Sequence, residues 1–255
     1  MLRFLQKHGM LKTRCYMTKE KFNINTEEMM KAGVQLGHST SRINPKMQPY
    51  LSGVRSRIHI IDLEKTKEKL TEALEFIQSI IAENKVLLLV GTKIEVKALI
   101  KSVAEECSLP YVSERWLGGT FTNFGAILKR IDYFKELERK KAAGELEKYT
   151  KKEKAGIEDE IQKMEIKFGG IKEMKKIPDA ILITDVNEDE LAIREAKQAN
   201  VKIIGICDTN VDPTLTDFPI PASDDAVSSL KYILEKVKET VKSTKPKVKA
   251  EKTEK

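Results

Sequence analysis

The chain is short of the residues that build most catalytic and metal centres. Its 255 residues include three histidines, His8, His38 and His59, and three cysteines, Cys15, Cys107 and Cys207. The cysteines are far apart, odd in number and form no C-x-x-C pair. That argues against a disulfide framework or a thiolate zinc site and fits a reducing compartment. Three scattered histidines make a cluster of imidazole ligands hard to assemble, so neither a metal nor a cofactor is expected. Aromatic residues are scarce at 6%, which points to long polar helices rather than an aromatic-lined cavity. No apolar stretch approaches the ~18–20 residues that span a bilayer, so no membrane partner is expected.

What the chain does contain is charge, and enough apolar residues for a core. Hydrophobic residues make up 40% and charged residues 33%. A chain of this length reads as one α/β core with an appendage. The net charge of +7 hints at a polyanionic partner. Its distribution weakens that hint. Residues 1–25 hold six bases and one acid, and residues 231–255 hold nine lysines and four acids. The 205 residues between them carry 31 bases and 34 acids, a net of −3.

Residues 1–19 contain Arg3, Lys7, Lys12, Arg14 and Lys19 and no acid. They resemble an organelle transit peptide. The plainer reading is an upstream start codon, with Met10 or Met17 as the working start. From residue 58 an α/β alternation is expected: an apolar run at 58–61, a helix at 64–83, a strand at 86–90 and a helix through 107. A brief strand at 111–112, a strand at 180–184, a helix at 188–199, a strand at 201–206 and a helix at 224–241 complete it. This predicts a parallel, doubly wound sheet. Residues 127–172 interrupt the pattern. Ile127, Ile131 and Phe134, then Ile157, Ile161, Met164, Phe168 and Ile171, recur at steps of three and four among Lys and Glu. The spacing predicts an antiparallel coiled-coil hairpin turning between Gly144 and Gly156, which can project from the body and need not add to its core. The expected division is a basic extension over 1–24, a body over 25–126 and 173–242, the hairpin over 127–172, and a disordered Lys-rich tail over 243–255.

The strongest local charge feature is a gap in the acids. Between Glu28 and Asp62 lie 33 residues without a carboxylate, holding Lys31, Arg42, Lys46, Arg55 and Arg57 with His38, Asn44, Gln48 and Tyr50. Glycines and prolines punctuate the stretch, so most of it reads as loop. Such a segment suits phosphate contacts and stacking on unpaired bases. Enzyme signatures are weak by comparison. Gly91-Thr92-Lys93 follows a strand, but the second and third glycines of a dinucleotide loop are missing, as is a Walker lysine. Gly118-Gly119 reads as a tight turn. Asp208 and Asp212 at a strand end are placed to hold a metal or act as acid and base, but no histidine lies near them in sequence. Asx turns are the preferred reading of both.

Several segments together resemble a known family. They are Met29 to His38, Asn44-Pro45-Lys46-Met47 with Tyr50, and Ile58 to Leu63. Val90 to Lys93, Arg115 to Thr120, Asn123-Phe124, Gly169 to Lys172 and Pro178-Asp179-Ala180 follow in order. Asp208-Thr209-Asn210 and Asp224-Asp225-Ala226 close the set. Over residues 25–240 this resembles the bacterial and organellar small-ribosomal-subunit protein S-two family. Lys202 and Arg57 depart from the usual pattern.

The resemblance implies a structural, non-enzymatic protein with a flavodoxin-like sheet flanked by helices and an inserted helical hairpin. It implies binding to small-subunit rRNA, contact with neighbouring ribosomal proteins, and help in recruiting the mRNA-capturing protein S-one. Arg42, Lys46, Arg55 and Arg57 are the expected phosphate contacts. Arg115, Lys129 and Arg130 form an expected second patch at the hairpin base, and Asn44 and Tyr50 are candidates for base or sugar contacts. The expected location is a cytoplasmic ribosome, or a mitochondrial or plastid one if the N-terminal extension is a transit peptide. The competing reading is a sugar-phosphate or nucleotide-binding enzyme using Thr92, Lys93 and Asp208. A third makes the charged hairpin a protein–protein adaptor.

Overall fold

The computed structural model describes residues 22–244; the basic extension before Phe22 and the tail after Thr244 lie outside the described residues. The acid-free stretch is more ordered than the sequence suggests. A short helix, Thr26–Lys31 (α1), leads into three strands, Leu36–Ser39 (β1), Leu51–Arg55 (β2) and Ile58–Ile61 (β3), with a 3-10 turn at Pro45–Tyr50. They pair antiparallel in the order β1-β3-β2. The expected loop is therefore largely a small sheet. The apolar run at 58–61 belongs to that sheet and not to the parallel one. Its turn, Ser56-Arg57, has positive φ at both residues (52° and 64°), the geometry of a two-residue hairpin. A turn of this kind normally announces itself with Asn-Gly; Ser-Arg gives no such signal.

After helix Leu63–Ala82 (α2) the alternation follows the expected order: Leu87–Val90 (β4), Ile94–Cys107 (α3) and Tyr111–Val112 (β5). Helices Phe124–Ala142 (α4) and Lys151–Phe168 (α5) intervene before Ala180–Ile183 (β6), Glu190–Gln198 (α6) and Lys202–Cys207 (β7). Phe218–Pro221 (β8) and Val227–Thr244 (α7) complete the described chain. Five strands form one parallel sheet in the order β5-β4-β6-β7-β8, the flavodoxin-like arrangement. Strand β4 sends Leu87 and Leu89 into one core and Leu88 and Val90 into the other. Burial on both faces is why these strands read as continuous apolar runs. Helices α2, α3 and α7 cover the first face, and residues of α4, α5 and α6 the second. Helix α7 runs through Ser243 and Thr244, two residues into the segment expected to be disordered.

Helices α4 and α5 pack on each other, and their connection turns at Gly144, which has φ +72°. Gly156 lies inside α5 rather than at the turn. Thr150 and Glu153 form a reciprocal capping box at the start of α5. Of the residues at three-and-four spacing, Ile131, Phe134, Ile161, Met164 and Phe168 are buried. The seam is continuous with the core of the body. These side chains form one continuous cluster with Leu88, Val90, Ile181 and Ile183 of the sheet. No helix among the described residues is long and apolar enough to cross a membrane. Cys107 and Cys207 are buried and join no disulfide among the described residues, and burial pushes the Cys207 thiol up to about 12.

Candidate nucleic-acid interface

The antiparallel sheet gathers three of the expected residues at one end. Ser39 and Arg55 both pair with Ile58. The Thr40 N–H donates to the Arg57 carbonyl at 3.0 Å, and the Arg42 N–H to the Ser39 carbonyl at 2.9 Å. Arg42, Arg55 and Arg57 are thus neighbours along this rim. All three are exposed, and among the described residues none makes an ion pair or a side-chain hydrogen bond. Three unpaired guanidiniums on one edge form an anion-seeking surface. Arg57 also occupies left-handed backbone, an unfavourable conformation for a side-chain-bearing residue.

Lys46, Asn44 and Tyr50 behave differently. Lys46 Nζ lies 2.6 Å from Asp212, donates to Thr214 at 3.3 Å, and holds Asp212 down at about 2. The Asn44 side-chain oxygen accepts from the Lys46 N–H as a helix cap, and Tyr50 is half-buried against the second core. Arg115 follows β5, an edge strand of the parallel sheet, and lines a groove with Glu165, Ile166 and Lys167 of α5. Lys129 and Arg130 stand exposed on the first turns of α4, Arg130 over the Tyr133 ring at 5.5 Å.

The carboxyl ends of β4, β6 and β7 meet in a crevice where proteins of this topology hold ligands. Here it is filled by the chain's own charges. Lys93 Nζ lies 2.8 Å from Asp185, 3.2 Å from Asp224 and 3.0 Å from Asp225. Burial opposes its charge, but hydrogen bonds to Asp185 and Asp225 raise the ammonium well above its ordinary value. Burial, with Asp185 and Asp208 nearby, pushes the Asp224 carboxyl up. The Thr92 hydroxyl donates to Asp189 at 3.0 Å, and burial pushes that carboxyl up to about 7. A phosphate entering here would meet carboxylates, and the lysine needed to bind it is already surrounded. Gly91 has a packing role: a Cβ there would come within 2.7 Å of the Thr184 hydroxyl and 2.8 Å of Ile100. The Gly118-Gly119 turn is also committed, because the N–H groups of Gly119 and Phe121 donate to the buried Glu195 carboxylate at 2.8 and 2.9 Å.

Asp212 fulfils the Asx reading, its side chain accepting from the Thr214 N–H at 2.9 Å. Asp208 does so in part, accepting from the N–H groups of Thr209 and Asp224. It also meets a histidine that the sequence kept 170 residues away: His38 Nδ1 lies 3.3 Å from Asp208 and Nε2 3.3 Å from Asp225. Ligand atoms of His38, Asp208 and Asp224 fall within 4.8 Å of one another, the one group among the described residues with the chemistry for a divalent cation. Sequence spacing missed it because β1 and the loops after β7 and β8 converge only in three dimensions. The sole pointer was that His38 sits within a dense motif.

A protein-family model described as Ribosomal protein S2 matches residues 29–244. The chain belongs to the ribosomal protein S2 family. Members of this family are structural components of the small ribosomal subunit and not enzymes, and a ribosome is where the chain resides. The match spans the antiparallel sheet, the five-stranded sheet and the α4–α5 pair alike. The nucleotide-enzyme reading finds no support in the family, and the self-neutralised crevice speaks against it as well.

Proposed function

We propose that this S2-family protein holds small-subunit rRNA through the arginine rim of its antiparallel sheet. The observation that carries the reading is the convergence of Arg42, Arg55 and Arg57, exposed and without side-chain partners among the described residues, on a body that is otherwise slightly acidic. Protein carboxylates neutralise most other lysines of known geometry, whereas these three guanidiniums are available to phosphates. Arg115, Lys129 and Arg130 form a second contact area near the base of the α4–α5 pair. Lys46 contributes by fixing the Asp212 loop beside the rim, with Asn44 and Tyr50 supporting the 3-10 turn between them.

In this reading residues 25–126 and 173–242 form the rRNA-binding body, and residues 127–172 form a coiled-coil arm that meets neighbouring proteins. Docking of the mRNA-capturing protein S-one, and residence in a cytoplasmic rather than an organellar ribosome, belong to the same proposal. Mass spectrometry of the mature N-terminus tests the compartment. Binding is tested by sucrose-gradient sedimentation with small subunits at low salt. The protein is expected to travel with the subunit, and release is expected as salt rises. Protein left at the top of a low-salt gradient contradicts the proposal.

A further inference from the structure

A second cleft, separate from the arginine rim, opens beside the Lys93 crevice, past the ends of β4, β5 and β6. It encloses about 820 Å³ between the Arg115–Gly118 segment, the end of α5 and the start of α6. Its walls combine three kinds of group. Ile166 on α5 and Leu191 on α6 line it and are exposed by 61% and 48% overall. Two buried polar atoms belong to its lining residues and lack partners: the Trp116 indole nitrogen and one Asp189 oxygen. Arg115 and Lys167 stand exposed at the mouth, neither in an ion pair among the described residues. Glu114, the nearest acid in sequence, is already bound to Lys97 at 2.5 Å.

We propose that this cleft receives one unpaired nucleobase of the small-subunit rRNA, with Arg115 and Lys167 on its flanking phosphates. A flat heteroaromatic ring has two apolar faces and a polar edge. Ile166 and Leu191 offer aliphatic surfaces to the faces, and the buried Trp116 N–H and Asp189 oxygen are the donor and acceptor that a small side-chain movement would bring to the edge. Burial keeps the Asp189 carboxyl protonated well above the ordinary range, which lessens its repulsion of a nearby phosphate. Gly118 lines the cleft opposite Leu191. A Cβ there would meet Leu191 at 3.9 Å, an ordinary contact, and the backbone does not require glycine. A larger side chain at 118 therefore narrows the cleft beside Leu191 without straining the backbone.

The inference rests on the rRNA reading above, and one titration separates the two. Trp116 is the only tryptophan in the chain, so its emission reports on this cleft alone. Full-length protein is titrated with deproteinised small-subunit rRNA, following both binding and fluorescence. The wild type is expected to bind with a saturable change in Trp116 emission. Gly118→Leu, checked for an unchanged melting curve, is expected to bind roughly 5- to 100-fold more weakly and without that change. Trp116→Phe, which keeps the ring packing and removes the N–H, is expected to bind more weakly as well. Normal affinity in both variants, with the emission change retained in Gly118→Leu, overturns the cleft proposal while leaving rRNA binding intact. An emission change that appears only when small-subunit proteins are added assigns the cleft to a protein segment and also overturns it. No binding by the wild type removes both readings.

Discussion

Arg57 places a long cationic side chain on backbone that favours glycine, at the tip of a two-residue turn. Such a residue persists when something other than stability favours it. Arg57→Gly is therefore expected to raise stability by up to about 1 kcal/mol while weakening rRNA binding. Urea denaturation and filter binding on the same preparation check both halves. Asp189 presents a second conflict. Its carboxyl titrates near 7 in the fold but near about 3.9 in the unfolded chain. The native state thus holds the extra proton between those values, and stability falls as pH rises from about 4 to about 7. Asp189→Asn lacks that dependence. Its stability relative to wild type should improve by on the order of 3 kcal/mol between pH 4.5 and pH 8; urea midpoints that keep a constant difference contradict this. The lone arginines were legible as residues in an acid-free stretch. The Lys93 and His38 clusters were not, because their partners come from segments more than 90 residues away.

The elements that were easiest to read are those whose local pattern and tertiary setting agree. Strands β4, β6 and β7 are covered on both faces and so read as unbroken apolar runs. Strand β8 escaped notice because Pro219 and Pro221 interrupt it, and prolines are tolerated only because it lies at the sheet edge. Strands β1 and β2 expose most of their residues and carry little apolar signal. The α4–α5 pair was legible from its three-and-four spacing, but not its attachment. Spacing identifies a seam and cannot say that Phe134 also belongs to the cluster lining the sheet. Phe134→Ala is accordingly expected to cost about 3–5 kcal/mol and to lower the melting of the whole body in one transition. A separate early transition, seen by calorimetry, would show the pair to be independent.

At the scale of the molecule, the net charge of +7 is a poor guide to where anions bind. Acids and bases of the body mostly neutralise one another, even in the crevice where this topology usually admits a ligand. A structural role follows naturally: the Lys93 crevice is filled by the chain's own charges, and the cations unpaired among the described residues stand on outer surfaces. The family assignment and the arginine rim thus give one account, in which the rim rather than the Lys93 crevice carries the main RNA contacts. Its most direct test is the salt dependence of binding to deproteinised small-subunit rRNA, comparing wild type with the Arg42→Ala, Arg55→Ala, Arg57→Ala triple variant. If all three contact phosphates, the slope of log affinity against log salt should become shallower by about 2 to 3. An unchanged slope and affinity in a normally folded triple variant would contradict the account.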